Sequence, residues 1–211
     1  ANLRYSLSNY TLLKKRFNKI DYFCTTALRK SDMNIRKPFN LQEWIAENKH
    51  LLKPPVANKN IYPEGSDYIV MVVGGPNARK DYHYNETEEL FYQLEGSITV
   101  VIQEDGERKE MKLQAGDMYL NPAKIPHSPV RSEGSIGLVI ERKRAGLGFT
   151  DGLLWHCDSC NHKLYEVYFE LHNIEKDFLS HFEHFYGSEA LRTCSNCGTV
   201  MDTDPRFVAK K

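Results

Sequence analysis

The sequence predicts a mainly β fold, a sandwich or jelly roll, with a short N-terminal helix and a small metal-binding C-terminal tail. Three observations predict it. From residue 66 to about 143, short segments rich in β-branched and aromatic residues alternate with glycine turns. A helix signal precedes them near Asn40. Four of the five cysteines fall into two Cys-x-x-Cys pairs near the C-terminus, a pattern that reads as a metal or redox site before a disulfide framework.

Residues 1–32 carry seven lysines and arginines against two acids. No continuous apolar core follows the charges, so they do not read as a secretory signal. A flexible extension is the reading adopted, with Met33 as a candidate start of the folded part; a mitochondrial-type targeting segment is the alternative. Asn40 suits an N-cap, with Glu43 as its capping-box partner and Trp44 and Ile45 as apolar contacts. Pro54-Pro55 stops the helix. The spacing then predicts strands over 68–73, 90–94, 97–103, 109–113, 118–120 and 137–141, with a hairpin at Asp105-Gly106. In the tail it predicts a strand over 165–171 and a helix over 174–186, with Phe178, Phe182 and Phe185 on one face and Gly187 as C-cap. The expected organisation is an extension (1–32), a catalytic domain (33–150) and a cysteine-bearing tail packed on it (151–211).

Lysine plus arginine and aspartate plus glutamate are both 28, so no global charge asks for a nucleic-acid or membrane partner. The longest aliphatic run, 69–73, is far too short to span a bilayer.

Two stretches carry candidate chemistry. In the first, His83 and Glu89 flank a short loop inside the β region; in the second, Gly116, Pro122 and Pro126 lead to His127. Two imidazoles and one carboxylate on one face hold Fe(II) and leave positions open for substrate and O₂. Arg79 stands four residues before His83, and Arg131 four after His127. On extended chain an even offset keeps side chains on one face, so both arginines are expected to point inward. Buried there, they ask for an anion such as an aromatic carboxylate.

The same stretches resemble the two motifs of the cupin superfamily, with departures: Asp81 stands where many cupins have a first histidine, five residues separate His83 from Glu89, and Lys124 replaces a glycine. Leu51–Val56, Val73–Asn77, Asp81–His83, Glu88–Gln93, His127–Pro129 and Val139–Arg142 closely resemble the 3-hydroxyanthranilate 3,4-dioxygenase family over roughly residues 38–205. The resemblance implies a cupin jelly-roll barrel with a catalytic Fe(II) on His83, Glu89 and His127. It implies that Arg131 and Glu141 hold the substrate carboxylate, that Arg79 lies over the reacting groups and stabilises negative charge on oxygen, and that Asn58 lines the pocket. The implied reaction is an extradiol-type ring opening of 3-hydroxyanthranilate by O₂. Its product, 2-amino-3-carboxymuconate semialdehyde, cyclises to quinolinate in the kynurenine route to NAD. A homodimer is implied as well, and a cytoplasmic location is expected if the extension 1–32 is inert.

Cys157, Cys160, Cys194 and Cys197 suit a tetrahedral Zn or a rubredoxin-like Fe, with 33 residues between the pairs. A structural role is expected because the metal closes a long loop. The resemblance implies that this site is remote from catalysis and leans the source toward bacteria or fungi. Cys24 has no evident partner. Two other functions compete: a non-catalytic cupin with a zinc-ribbon interaction tail, and a cupin isomerase or a dioxygenase for another substrate such as a thiol. The His83–Glu89–His127 set favours an enzyme, and the Arg79, Arg131 and Glu141 set favours an aromatic acid.

Overall fold

A computed structural model describes residues 36–53, 57–173, 177–204 and 207. The expectations for residues 1–32, for Cys24 and for Pro54-Pro55 therefore lie outside the described residues. Residues 41–211 form one compact unit, and residues 1–40 fall in another, of which 36–40 take no regular structure.

Two antiparallel sheets face each other as a jelly roll. The first has the order β1 (Asn58–Asn60), β2 (Tyr68–Gly74), β9 (Ile136–Arg142), β4 (Glu89–Glu95) and β7 (Met118–Asn121). The second has the order β11 (Lys163–Phe169), β10 (Asp151–His156), β3 (Asp81–Asn85), β8 (His127–Arg131), β5 (Ser97–Glu104) and β6 (Glu107–Gln114). Helix α1 (Leu41–Asn48) precedes them, and α2 (Asp177–Gly187) and α3 (Glu189–Arg192) follow.

The β5–β6 hairpin turns at Asp105 and Gly106, both at positive φ (53° and 81°), the backbone that an Asp-Gly pair adopts at little cost. Between the sheets, Met71, Phe91 and Val139 meet Ile98, Val100, Ile102 and Leu113. Each such side chain, fully buried, contributes roughly 1.5–3 kcal/mol, so this apolar half of the interior offsets the cost of charges buried in the other half. Helix α1 packs Ile45 on Val72 and Ile136, together with Leu52.

Four strands were not expected: β1, β3, β8 and β10. Two of them, β3 (Asp-Tyr-His-Tyr-Asn) and β8 (His-Ser-Pro-Val-Arg), are polar in sequence yet almost wholly buried. They pair only at His83↔His127. Beyond that pair they diverge, which accommodates Pro129 in an interior strand. In the tail, the strand runs Lys163–Phe169 rather than 165–171. Gly187 is the last residue of α2 and is not among the positive-φ glycines. The chain turns directly into α3, where the Ser188 hydroxyl accepts a hydrogen bond from the Leu191 amide at 3.3 Å.

Candidate active site and metal centres

The two sheets bring His83, Glu89 and His127 together from β3, β4 and β8, all three buried, with one potential ligand atom from each within 4.8 Å of the others. Strand register does this. His83 faces His127 across β3–β8, and Glu89 enters from the opposite sheet, where it pairs with Glu141 and Asn121.

Each imidazole has one nitrogen turned to the centre and one tied outward. His83 Nε2 lies 2.9 Å from Asp151 Oδ1, while its Nδ1 faces Glu89 Oε2 at 3.9 Å. His127 Nδ1 lies 3.1 Å from the Ile125 carbonyl, and its Nε2 lies 2.9 Å from Glu89 Oε2. A ring N–H donated outward leaves the inner nitrogen as a lone pair, which is the arrangement of metal-bound histidines. The donor set therefore fits a divalent metal.

The charges around it are arranged in pairs. Burial pushes the Glu89 carboxyl up, but His127, His83 and Arg144 outweigh this and hold it at about 2. Burial lowers His83, and the Asp151 bond only partly offsets it. For His127 burial also acts downward, but Glu89 outweighs it and raises the ring above its usual value. Burial and the nearby Glu89 push the Glu141 carboxyl up to about 8. Glu141 Oε2 nonetheless takes a 2.6 Å bond from Arg144 Nη1, so the charge on Arg144 is shared between Glu141 and Asp151.

A cavity of about 430 Å³ opens above the triad. Asn58, Arg79, Asp81, Arg131 and Glu141 line it along with the triad itself. Arg131 shares β8 with His127 and is 3% exposed, as the even offset requires. Arg79 arrives differently. It precedes β3 on irregular chain, so the strand-parity argument does not apply to it. Asn77 places it: its side chain bonds the Pro129 carbonyl at 2.9 Å and takes the Arg131 amide at 3.0 Å. Arg79 then forks onto Asp81, with Nε 3.1 Å from Oδ2. Arg131 Nη1, Glu141 Oε1 and Asn58 Oδ1 are buried without a hydrogen-bond partner. Burial pushes the Arg131 guanidinium down to about 10.

Three parts of the site lie outside the residues that the sequence assigns to it: Arg144, Asp151 and a wall from α2. Arg144 stands in a basic cluster and Asp151 beside a glycine, and no motif spacing marks either as part of a site. The far wall of the cavity comes from α2, through Phe178, Leu179, Phe182 and Tyr186. The second cluster also assembles: Cys157, Cys160, Cys194 and Cys197 approach within 4.8 Å, with Cys157 Sγ 3.6 Å from Cys197 Sγ and Cys160 Sγ 3.6 Å from Cys194 Sγ. Four thiol ligands in two knuckles fit a tetrahedral metal.

A two-sheet jelly roll with two histidines and a glutamate facing a pocket defines a cupin metalloprotein of the dioxygenase type. The chain belongs to the 3-hydroxyanthranilic acid dioxygenase family, whose model matches residues 33–186. It is 54% identical over 172 residues to a 3-hydroxyanthranilate 3,4-dioxygenase of Xanthomonas campestris pv. campestris (strain 8004), covering 82% of this chain and 96% of that protein. It is 48% identical over 165 residues to one from Paraburkholderia phytofirmans (strain DSM 17436 / LMG 22146 / PsJN), covering 78% and 94%. A cupin-2 domain protein of Shewanella frigidimarina, solved by crystallography, aligns with 49% of this chain and all of its own at 23% identity and a TM-score of 0.38.

Proposed function

We propose that this protein is an Fe(II)-dependent ring-opening dioxygenase that converts 3-hydroxyanthranilate and O₂ to 2-amino-3-carboxymuconate semialdehyde. The relatives at 54% and 48% identity bear that activity in their names. The observation that carries the reading is the unpartnered pair, Arg131 Nη1 and Glu141 Oε1, buried in the same cavity as the triad. Buried polar groups without partners are costly, and a substrate carboxylate satisfies both if Glu141 keeps its proton.

In this reading His83, Glu89 and His127 hold the iron, which brings the electron-rich ring and O₂ together when bound. Arg131 receives the carboxylate, and Glu141, held up near 8 by burial and Glu89, donates a hydrogen bond to it. Arg79, kept cationic by Asp81, stabilises negative charge as it develops on oxygen. Asn58 bounds the ring's edge. The aromatic wall keeps water out. The four cysteines hold a structural Fe or Zn.

Residues 1–32 are read as an extension, 33–150 as the catalytic part and 151–211 as the cysteine tail packed on it; β10 and β11 of that tail continue the second sheet. The enzyme is read as a cytoplasmic homodimer whose partners are substrate and O₂, without nucleic acid or membrane. Among the described residues, no helix is long and apolar enough to cross a membrane. The unpartnered Arg131 and Glu141 beside the triad favour a protein that takes a small acid into its pocket over one that works only through contacts of its tail.

The test is O₂ uptake and near-ultraviolet absorbance, followed together on Fe(II)-loaded protein given 3-hydroxyanthranilate. Both should change at matched rates. No absorbance rise would remove the reading, and full activity in His83→Ala would remove the ligand assignment.

A further inference from the structure

The helix that walls the pocket sits inside the loop that the four cysteines close. Cys157 and Cys160 lie between β10 and β11, and Cys194 and Cys197 follow α3. Between them the chain passes through β11, α2 and α3. Helix α2 puts Phe178, Phe182 and Tyr186 on the cavity. The Phe178 ring stands edge-on to the ligand His83, with centroids 5.2 Å apart. Phe182 contacts Phe178 and Trp155.

One apolar cluster then links this wall to the cysteine site. Phe185, the next α2 aromatic, stacks on Trp155 at 4.3 Å. Trp155 is on β10, two residues before Cys157, and β10 pairs with β3 so that Leu153 faces His83. At the far end, the Arg192 guanidinium bonds the Met201 carbonyl, and Met201 belongs to the same cluster. So β10 leads directly into one cysteine pair and borders the His83 strand, and the second pair ends the segment that presents the wall.

We propose that a metal on Cys157, Cys160, Cys194 and Cys197 fixes α2 against β10, and that the aromatic wall so placed determines how tightly a flat aromatic acid binds. Tail occupancy then governs KM rather than the chemical step, and Phe178, Phe182 and Tyr186 are positioning residues for the ring. The identity of the aromatic acid rests on the proposed function; the coupling of tail metal to α2 does not.

Full-length protein with the catalytic site loaded with Fe(II) is compared as wild type and as Cys194→Ser/Cys197→Ser, with tail metal measured by elemental analysis. Hydrogen exchange is followed over residues 177–187, and KM and kcat over 3-hydroxyanthranilate. Loss of tail metal is expected to speed exchange in α2 at least about tenfold while β3 and β8 keep their protection. KM is expected to rise roughly tenfold, with kcat within about twofold. Phe182→Ala, with tail metal retained, should raise KM without loosening β10 and β11. If the double variant does not fold, Cys160→Ser at an exposed ligand and wild-type preparations of graded tail occupancy replace it, and KM should track occupancy. Unchanged α2 exchange, or unchanged KM, in protein lacking tail metal overturns the proposal. If the wild type does not turn over 3-hydroxyanthranilate, the substrate reading fails alone, and the exchange measurement still decides the coupling.

Discussion

Asp151 Oδ1 lies 2.9 Å from His83 Nε2, and the same carboxylate takes the Arg144 guanidinium through Nε at 3.0 Å and Nη2 at 2.7 Å. Burial acts to raise the Asp151 carboxyl, but the bonds from His83 and Arg144 hold it below its ordinary value. A firmly ionised acceptor behind His83 fixes the ring's tautomer and makes the inner nitrogen a better donor. Arg144 reaches Glu141 as well, so one buried guanidinium braces both the proposed metal ligand His83 and the proposed carboxylate site.

Asp151→Asn should therefore weaken metal binding at the triad by about 10–100-fold, the usual cost of losing such an outer partner. The amide still accepts from His83 but no longer offers a full charge. Competitive metal titration of the metal-free protein measures it. Wild-type affinity in a folded variant would show that Asp151 serves only to bury Arg144.

His127 and Glu89 form an ion pair in the metal-free protein, since His127 is raised above its usual 6.5 and Glu89 is held at about 2. The His127 contribution to stability is fully present below the unfolded value and is lost as pH rises through the raised folded one. Metal needs the neutral ring, so it must displace that proton. Apparent affinity at the triad should fall as pH is lowered through neutrality, by up to about tenfold per pH unit for each proton displaced. Calorimetry in buffers of different ionisation enthalpy should find proton release on binding; affinity flat between about pH 6 and 7.5 would contradict the pairing.

The apolar strands β2, β4, β5 and β9 were legible because each is a run of β-branched, aliphatic or aromatic residues between turns. The strands that hold the site were not. β3 and β8 are polar because their buried side chains form the His83–His127 cluster, pocket walls and the Asn77-bonded edge, so the site overrides the local signal. His83, Glu89 and His127 were legible through motif spacing. Asp151 and Arg144 were not, because a buried charge pair has no period. The wall on α2 was read as an amphipathic helix, yet only the fold shows that its apolar face meets the cavity.

In the proposed function Arg131 is a charge held in reserve for a ligand. It is buried, its Nη1 is unpartnered, and burial pushes it down to about 10. A buried unpaired cation costs stability, and apolar replacement of buried ionic groups is often stabilising by about 1–4 kcal/mol. Arg131→Met should raise the thermal midpoint of the ligand-free protein while removing roughly 2–5 kcal/mol of substrate binding. Differential scanning calorimetry and steady-state kinetics on one preparation test both. A variant that is less stable than wild type and binds substrate normally would refute the assignment.

Gly137 makes room for that guanidinium. A Cβ built there would stand 2.7 Å from Arg131 Nη1 and 3.0 Å from Gln93 Oε1. The first distance is too short to persist, but the atom it strikes ends a flexible side chain, so the arginine can shift while the strand stays. Gly137 lies between Val73 on β2 and Gln93 on β4, in a pleat with ordinary backbone angles, and alanine suits that backbone. Gly137→Ala should leave stability within about 1 kcal/mol. It should raise KM for 3-hydroxyanthranilate severalfold by displacing Arg131 from the carboxylate, with a smaller effect in an Arg131→Lys background, where the planar fork is already gone. Equal effects in both backgrounds would mean that Gly137 acts on the strand and not through Arg131, which a double-mutant cycle reads directly.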